Sequence, residues 1–431
     1  MPCLHEQVYD EHPHRDDSRN DITSSEVYMR KSVRFFALLS AAVLLCGCGA
    51  KRENVTLSIW TSQDTYDLVN EELEDFKAEY ADEADFTFNV SVESEDSCGK
   101  MVVSNPDAAA DIFTYADDQL NMMLEKDLIA EITVNGDQVI SAVGGESSGA
   151  ASAAMRNGNL YACPLTAGNS YFLYYNAAYF SPDDLKTLDG ILDAAAASGK
   201  KFTMDYSSGW YIYSFFKGAG LDVYKTDDGK NFCNWNATNT KYTGVDVAEA
   251  MLSVASHPGF SNLNDEGFVS GVKDGTVIAG INGAWNADTV KAAWGDDYAA
   301  IKLPTYTIAG DQVQMASFAG YKLVSVNSRC EYPEWAMRVA EYLTSEKSQL
   351  ERFAVTGECP ANIAAASNEA VQSAPAVKAL AEQSVYGNTQ NVSDSFWDAS
   401  GKFGISIASG NEGNRDLQEL LDETVTAITE Q

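Results

Sequence analysis

From Val55 onward the chain alternates short apolar stretches with amphipathic ones, and that alternation limits the fold more than any single motif. "VTLSIW" reads as a strand, and Val69, Leu73, Phe76 and Tyr80 follow at helical spacing. "FTFNVSV" alternates with a period of two, "AADIFTYA" is a short apolar strand, and "DDQLNMMLEKD" continues as a helix. Strands and helices taking turns in this way predict a mainly parallel sheet with covering helices, an α/β protein.

The alternation persists. "NGNLYACPLT" and "SYFLYYN" read as strands with "AGN" between them, and helices are expected near 183–197, 210–217, 245–256 and 268–273, with a strand at 276–281. "KTDDGKNF" and "TIAGDQVQ" carry Asp-Gly and Gly-Asp turns between β-rich arms, so each predicts a hairpin. From Glu331 the pattern is helical. Trp335, Val339, Tyr342 and Leu343, then Leu350, Phe353 and Ala354, fall on inner faces. No internal repeat is visible.

The amino-terminal end follows another logic. Arg30, Lys31 and Arg34 precede an apolar run from Phe35 to Leu45, broken only by Ser40, that stops at Cys46-Gly47-Cys48. Cations, then a short apolar run, then small residues form the pattern of a secretory signal peptide, here 29–47. The run is shorter than the about 20 apolar residues that cross a bilayer. "LCGC" resembles the bacterial lipobox, which implies a lipid on Cys48, a membrane anchor there and a tether over 48–54. Residues 1–28 then read as a non-native extension, with Met29 as the start.

A formal net charge of −34 argues against nucleic acid or anionic lipid as a partner, since both are bound by neutralising phosphate with Lys and Arg. Of four histidines, His5, His12 and His14 precede the leader, leaving only His257, in the loop "ASHPGF". One histidine excludes multi-histidine zinc sites. Beyond Cys48 stand Cys98, Cys163, Cys233, Cys330 and Cys359, an odd set without CxxC spacing and so not a disulfide framework. Cys330 with Cys359 is the one pair to consider against isolated buried thiols. "GAGLDV" lacks the third glycine of a dinucleotide loop, so no cofactor is expected.

Aromatic residues offer the better lead. There are seven tryptophans, and several sit among polar or small residues, in "SSGWYIY", "NGAWNAD" and "SDSFWDAS". A pyranose lies flat on an aromatic ring while carboxylates and amides meet its hydroxyls. Any one tryptophan is more often a core residue; Trp60, ending a strand, and Trp335, on a helix stripe, read that way.

Several stretches, taken together and in order, resemble the solute-binding proteins of ABC sugar importers, closest to the maltose/maltodextrin-binding branch. They are "DIFTYADDQLNMMLEKDLIAEI", "NGNLYACPLTAGNSYFLYYN", "GWYIYSFFKGAG", "GTVIAGINGAWN", "GYKLVSVN" with "PEWAMRVAEYLTSEKSQLERF", and "FWDASGKFG". The resemblance covers about 370 residues. It implies a two-lobed periplasmic-binding-protein fold of type II, each lobe a mixed sheet flanked by helices, hinged by crossover strands. Lobe 1 would take 55–166 and 318–358, and lobe 2 would take 169–315 and 359–431. It further implies sugar bound between the lobes, stacked on Trp285 and Trp397, with Trp210 at an aromatic position of the family. Tyr115 stands at a family tryptophan, and Asp118 at a carboxylate that binds sugar hydroxyls. Two positions depart from the pattern: Gln119 replaces an arginine, and "TAGNS" has Asn169 near a missing glutamate.

By the same resemblance the protein is no enzyme. It is a monomer, held by its lipid outside the cell membrane, that closes on a maltodextrin-like oligosaccharide and delivers it to a permease. The hinges fall near Ala167–Asn169 and Met315–Phe318, and closure is a population shift driven by contacts to both lobes. The rival readings are a sugar-sensing lipoprotein and a cell-surface glycoside hydrolase, the latter needing a carboxyl pair about 5–10 Å apart across one sugar bond.

Overall fold

The computed structural model describes residues 52–226 and 229–430. The proposed extension, signal peptide and Cys48 lie outside the described residues.

Strand β1 (Glu53–Thr61) is followed by helix α1 (Tyr66–Glu79), which buries Val69, Leu73 and Phe76 as their spacing requires. Strands β2 (Ala84–Val92) and β3 (Ile112–Ala116) both lie parallel to β1. After the short helix α2 (Gly149–Ala154) comes β4 (Cys163–Asn169). "AGN" belongs to β4, and one residue later β5 (Tyr171–Asn176) starts in a different sheet. This is the first crossing between lobes. Gly168 permits it: its φ is +77°, and a Cβ there would stand 3.2 Å from the Leu380 side chain.

The second sheet holds β5, β6 (Lys201–Thr203), β7 (Phe260–Ser261), β8 (Val277–Gly283) and β9 (Tyr298–Ile301), in the order β7-β6-β8-β5-β9. Helices α3 (Gly209–Gly218), α4 (Gly244–Ser256) and α5 (Asp265–Asp274) belong with it. The expected hairpins form at 223–233 and 305–314, the latter through Ala309 and Gly310 at positive φ.

The chain crosses back in β10 (Ser317–Val326), which pairs antiparallel with β3 on one edge and β4 on the other. The first sheet is therefore mixed rather than mainly parallel, because a returning strand is inserted at its centre. At the crossing the Ser170 hydroxyl donates to the Phe318 carbonyl, tying the two strands together. Helices α6 (Pro333–Leu343) and α7 (Glu346–Thr356) pack on lobe 1. Then come α8 (Pro375–Gln383), β11 (Gly387–Thr389), which lies parallel to the start of β10, and α9 (Ser395–Ala408) and α10 (Leu417–Thr429) on lobe 2. Each sheet has its own buried apolar core, one around Phe76, Phe113 and Val324, the other around Phe215, Trp235 and Phe396. This is the two-lobed α/β periplasmic-binding fold.

One helix face departs from expectation. On α7 the buried residues are Ser348, Gln349, Arg352 and Thr356, while Leu350 and Phe353 are half-buried and Ala354 is exposed. A polar inner face survives because its groups are paired. Gln349 donates to the carbonyls of Pro164 and Thr344 and accepts from the Asn362 amide. Trp335 fits its core reading, packing edge-on against Phe86 at 4.9 Å. Cys98, Cys163 and Cys233 are buried free thiols, and Cys330 is a half-buried one, so no bridge joins Cys330 to Cys359. His257 closes α4 in a loop, its Nδ1 accepting from the Gly259 amide.

Candidate functional site

Between the lobes lies a cleft of about 1540 Å³, and one of its walls is acidic. Strand β3 ends at Ala116 and the chain tightens into a single 3₁₀ turn, Asp117–Gln119, which sets two carboxylates side by side at the strand's carboxyl end. Asp117 and Asp118 each keep one buried oxygen, Oδ1, without a hydrogen-bond partner. Burial pushes the Asp117 carboxyl up to about 7. Burial and then the charge of Asp117 push Asp118 up to about 8. Gly320 of β10 makes room, since a Cβ there would meet Asp117 Oδ1 at 2.5 Å.

The loop after β11 closes the cleft from the other side. Gln390 lies against Asp118 from across the cleft and offsets part of that rise, and its own Oε1 is buried without a partner. Trp397, near the start of α9, adds an aromatic face. Its ring lies 6.1 Å from Phe318, whose ring is stacked on Tyr213 at 3.7 Å and on Trp210 at 5.4 Å. Unpartnered acceptors in a cleft that also holds one half-buried indole suit a ligand rich in hydroxyl donors. The mouth is spanned by two exposed ion pairs, Lys100 with Asp394 at 3.4 Å and Lys225 with Glu125 at 4.0 Å.

Of the residues singled out in the sequence, Asp118, Gln119 and Trp397 line this cleft. Tyr115 is fully buried in lobe 1, its hydroxyl 2.8 Å from Ser325 Oγ, because it sits inside β3 rather than at its end. The Gln119 amide is committed to lobe 1, accepting from the Gly99 amide and donating to the Glu95 carbonyl, both at 2.7 Å. Asn169 ends β4, in register with Gly320. Trp210 stacks behind Phe318, and its indole N–H is buried without a partner. Trp285 follows β8, donates to Asp265 at 3.0 Å and lies under the ammonium of Lys322, 5.8 Å from the ring centroid. Asp117, Gln390 and Phe318 escaped the sequence reading. The repeated acid in "ADDQ" was the available signal for Asp117, and none marked the other two.

Lys322 belongs to a second polar cluster beside the crossing strands. Its Nζ meets Glu95 at 2.5 Å and also Glu358, and Arg352 of α7 meets Glu358 at 3.2 Å and Glu95 at 3.7 Å. All four side chains are buried. Burial works against the charged forms, but for Lys322 the two carboxylates outweigh it and raise its pKa. Burial likewise opposes the Glu358 charge, and Lys322 and Arg352 overcome it and hold that carboxyl below its usual range. Among the described residues no group of three His, Cys, Asp or Glu is placed to hold a metal ion, and no helix is long and apolar enough to cross a membrane.

Two lobes, a double crossing and a ligand-sized cleft between them define a receptor that encloses a small solute. The family model described as bacterial extracellular solute-binding protein matches residues 73–379, and the chain belongs to that family. It is therefore a binding protein and not an enzyme. A galactooligosaccharide-binding protein of Bacillus subtilis (strain 168) is 24% identical over 430 residues, covering 92% of this chain and 96% of that one. A solved structure described as "with acarbose" is 28% identical, with a TM-score of 0.75 over 88% of this chain and 99% of the other. The maltodextrin-binding protein of L. casei BL23, solved without ligand, is 22% identical with a TM-score of 0.70, covering 87% of this chain and 99% of its own.

Proposed function

We propose that this protein is the substrate-binding component of a carbohydrate ABC importer, anchored by lipid at Cys48 on the outer face of the cell membrane. It takes a malto-oligosaccharide-type sugar into the interlobe cleft and hands it to membrane permease subunits. Lobe 1 (55–166 and 318–358) and lobe 2 (169–315 and 359–431) close about the two crossing strands. The observation that carries the reading is the set of unpartnered buried oxygens on Asp117, Asp118 and Gln390 in a cleft that also presents Trp397. Sugar hydroxyls supply the missing donors, and one pyranose face covers the indole. Asp118 and Trp397 are the proposed contacts from the sequence that the cleft brings together, while Gln119 lines it with an amide already bonded within lobe 1. Tyr115, Asn169, Trp210 and Trp285 act, on this reading, from behind the wall or beside the hinge.

A second sugar class has a specific observation in its favour, the galactooligosaccharide-binding relative, so the test carries both. Residues 49–431 are titrated with maltotriose and with β-galactotriose, following tryptophan fluorescence. Saturable binding of maltotriose, lost in Trp397→Ala with the fold intact by circular dichroism, is the expected result. Binding of β-galactotriose alone moves the assignment to galacto-oligosaccharides. Failure of both sinks the sugar reading.

A further inference from the structure

A ring that stacks a ligand is only as well placed as the side chains behind it. Trp397 stands third in α9, half-buried, and lines the cleft. Its side-chain torsions have to be fixed by packing away from the ligand. That packing comes from Phe396, steeply inclined at 4.8 Å, and from Phe318, tilted at 6.1 Å. Phe318 is 1% exposed and is the second residue of β10, in the crossing itself. Its ring bridges two helices. Toward α3 it stacks on Tyr213 at 3.7 Å and 13° and on Trp210 at 5.4 Å and 26°. Toward α9 it meets Phe396 at 6.0 Å and 85° and Trp397 at 6.1 Å and 59°. Near-parallel contacts to one helix and steep ones to the other need a flat, rigid side chain; leucine is apolar too but has neither ring face nor ring edge.

The backbone here is equally committed. The Phe318 carbonyl accepts from the Ser170 hydroxyl of the first crossing, and Ser317 Oγ accepts from Gln383 Nε2, at the end of α8, at 3.2 Å. Phe318 pairs in register with Asn388 of β11, and just beyond that strand the Gln390 amide donates to the Ala319 carbonyl at 3.3 Å. Residues 317–319 therefore hold two cleft groups at once, Trp397 through a ring and Gln390 through a strand. Taking the sugar reading above as given, we infer that Phe318 is a positioning residue for ligand binding, which sets the Trp397 indole and the Gln390 amide against the acid pair without touching the ligand. Because it lies in a crossing strand, the pose of the stacking ring is tied to the hinge and not to α9 alone.

The test is calorimetric titration of residues 49–431 with maltotriose, or with β-galactotriose if that is the sugar bound. Phe318→Leu weakens binding about tenfold. Phe215→Leu, an equally buried ring of the same core that packs on Tyr206 and Tyr306, serves as the control and leaves affinity within about twofold although it also lowers the melting temperature. Should the leucine variant at 318 fail to fold by circular dichroism, Phe318→Met takes its place, with the same expectation. Trp397→Phe, which keeps a smaller ring in the cleft, then closes a double-mutant cycle. The combined variant loses at least about threefold less affinity than the two single losses multiplied together, since Phe318 acts through Trp397. Affinity within about twofold of the unaltered protein in the variant at 318, an equal loss in Phe215→Leu, or losses that simply multiply would each overturn the positioning role and leave the sugar reading standing. Absence of binding to both sugars in the unaltered protein overturns both.

Discussion

Two buried charge clusters stand on the first lobe, and they are built on opposite terms. In the Glu95–Lys322–Glu358–Arg352 cluster each charge faces an opposite one, and the pKa values of Lys322 and Glu358 move so as to keep both ionised. In the Asp117–Asp118 pair two like groups sit together, oxygens lack partners, and the pKa values move toward the protonated form. The first is a charge-balanced scaffold around the crossing strand, with a single oxygen, Glu95 Oε1, short of a hydrogen-bond partner. The second keeps its bonding capacity in reserve, which is the mark of a surface awaiting a ligand. Burial of charge alone therefore does not locate a site; two like carboxyls left unpaired on the wall of a cleft do.

The sharpest way to break the contrast is to unbalance the scaffold. Lys322→Met leaves two buried carboxylates sharing one cation, Arg352, and we expect a loss of about 3–5 kcal/mol in urea unfolding. A loss under about 1 kcal/mol would mean that the cluster is wetter and looser than its geometry implies. In contrast, Asp118→Asn replaces a carboxyl that the fold does not need in its charged form. Stability near neutral pH should change by less than about 1 kcal/mol, while sugar affinity falls about tenfold, since a carboxyl oxygen turned to the ligand is replaced by an amide group.

Titration separates the clusters in a second way. Asp117 and Asp118 keep their protons in the folded chain up to about 7 and about 8, against an ordinary value of 3.8. The folded state then binds more protons than the unfolded one between those limits, so stability falls as pH rises through this window. Thermal melts of the ligand-free protein from pH 5 to pH 9 should show that decline, and Asp118→Asn should flatten its upper part. Glu72, raised to about 7 mainly by burial, contributes in the same direction and remains in the variant. The smallest effect belongs to the mouth. Lys100→Ala breaks a pair whose two side chains are more than half exposed, and melts should move by no more than about 0.5 kcal/mol.

Strands and helices were legible where one face meets a core, as in α1, whose Val69, Leu73 and Phe76 keep the spacing their burial demands. Helix α7 was misread for a physical reason: its inner face is polar and is satisfied by Glu358, Pro164 and Asn362, all outside the helix. No local period reports such partners. The cleft was legible to the extent that Asp118 and Trp397 stand at element ends, where side chains emerge between the lobes. Phe318 and Gln390 were not, because one reads as a strand residue and the other as a loop amide until the crossing brings them together. Trp285 looked like a stacking ring from its Asn-Gly neighbourhood; its indole N–H is held by Asp265, and the cation over its ring, Lys322, is supplied by the other lobe.

The central place of β10 has a consequence for how the chain is made. Its residues, 317–326, wedge between β3 and β4, which were synthesised about 150 to 200 residues earlier. Until they arrive, both of those strands present bare edges, and the first lobe has no finished sheet to fold onto. Such late, long-range closure slows folding. The first lobe therefore sets into shape only once about three quarters of the chain has been made.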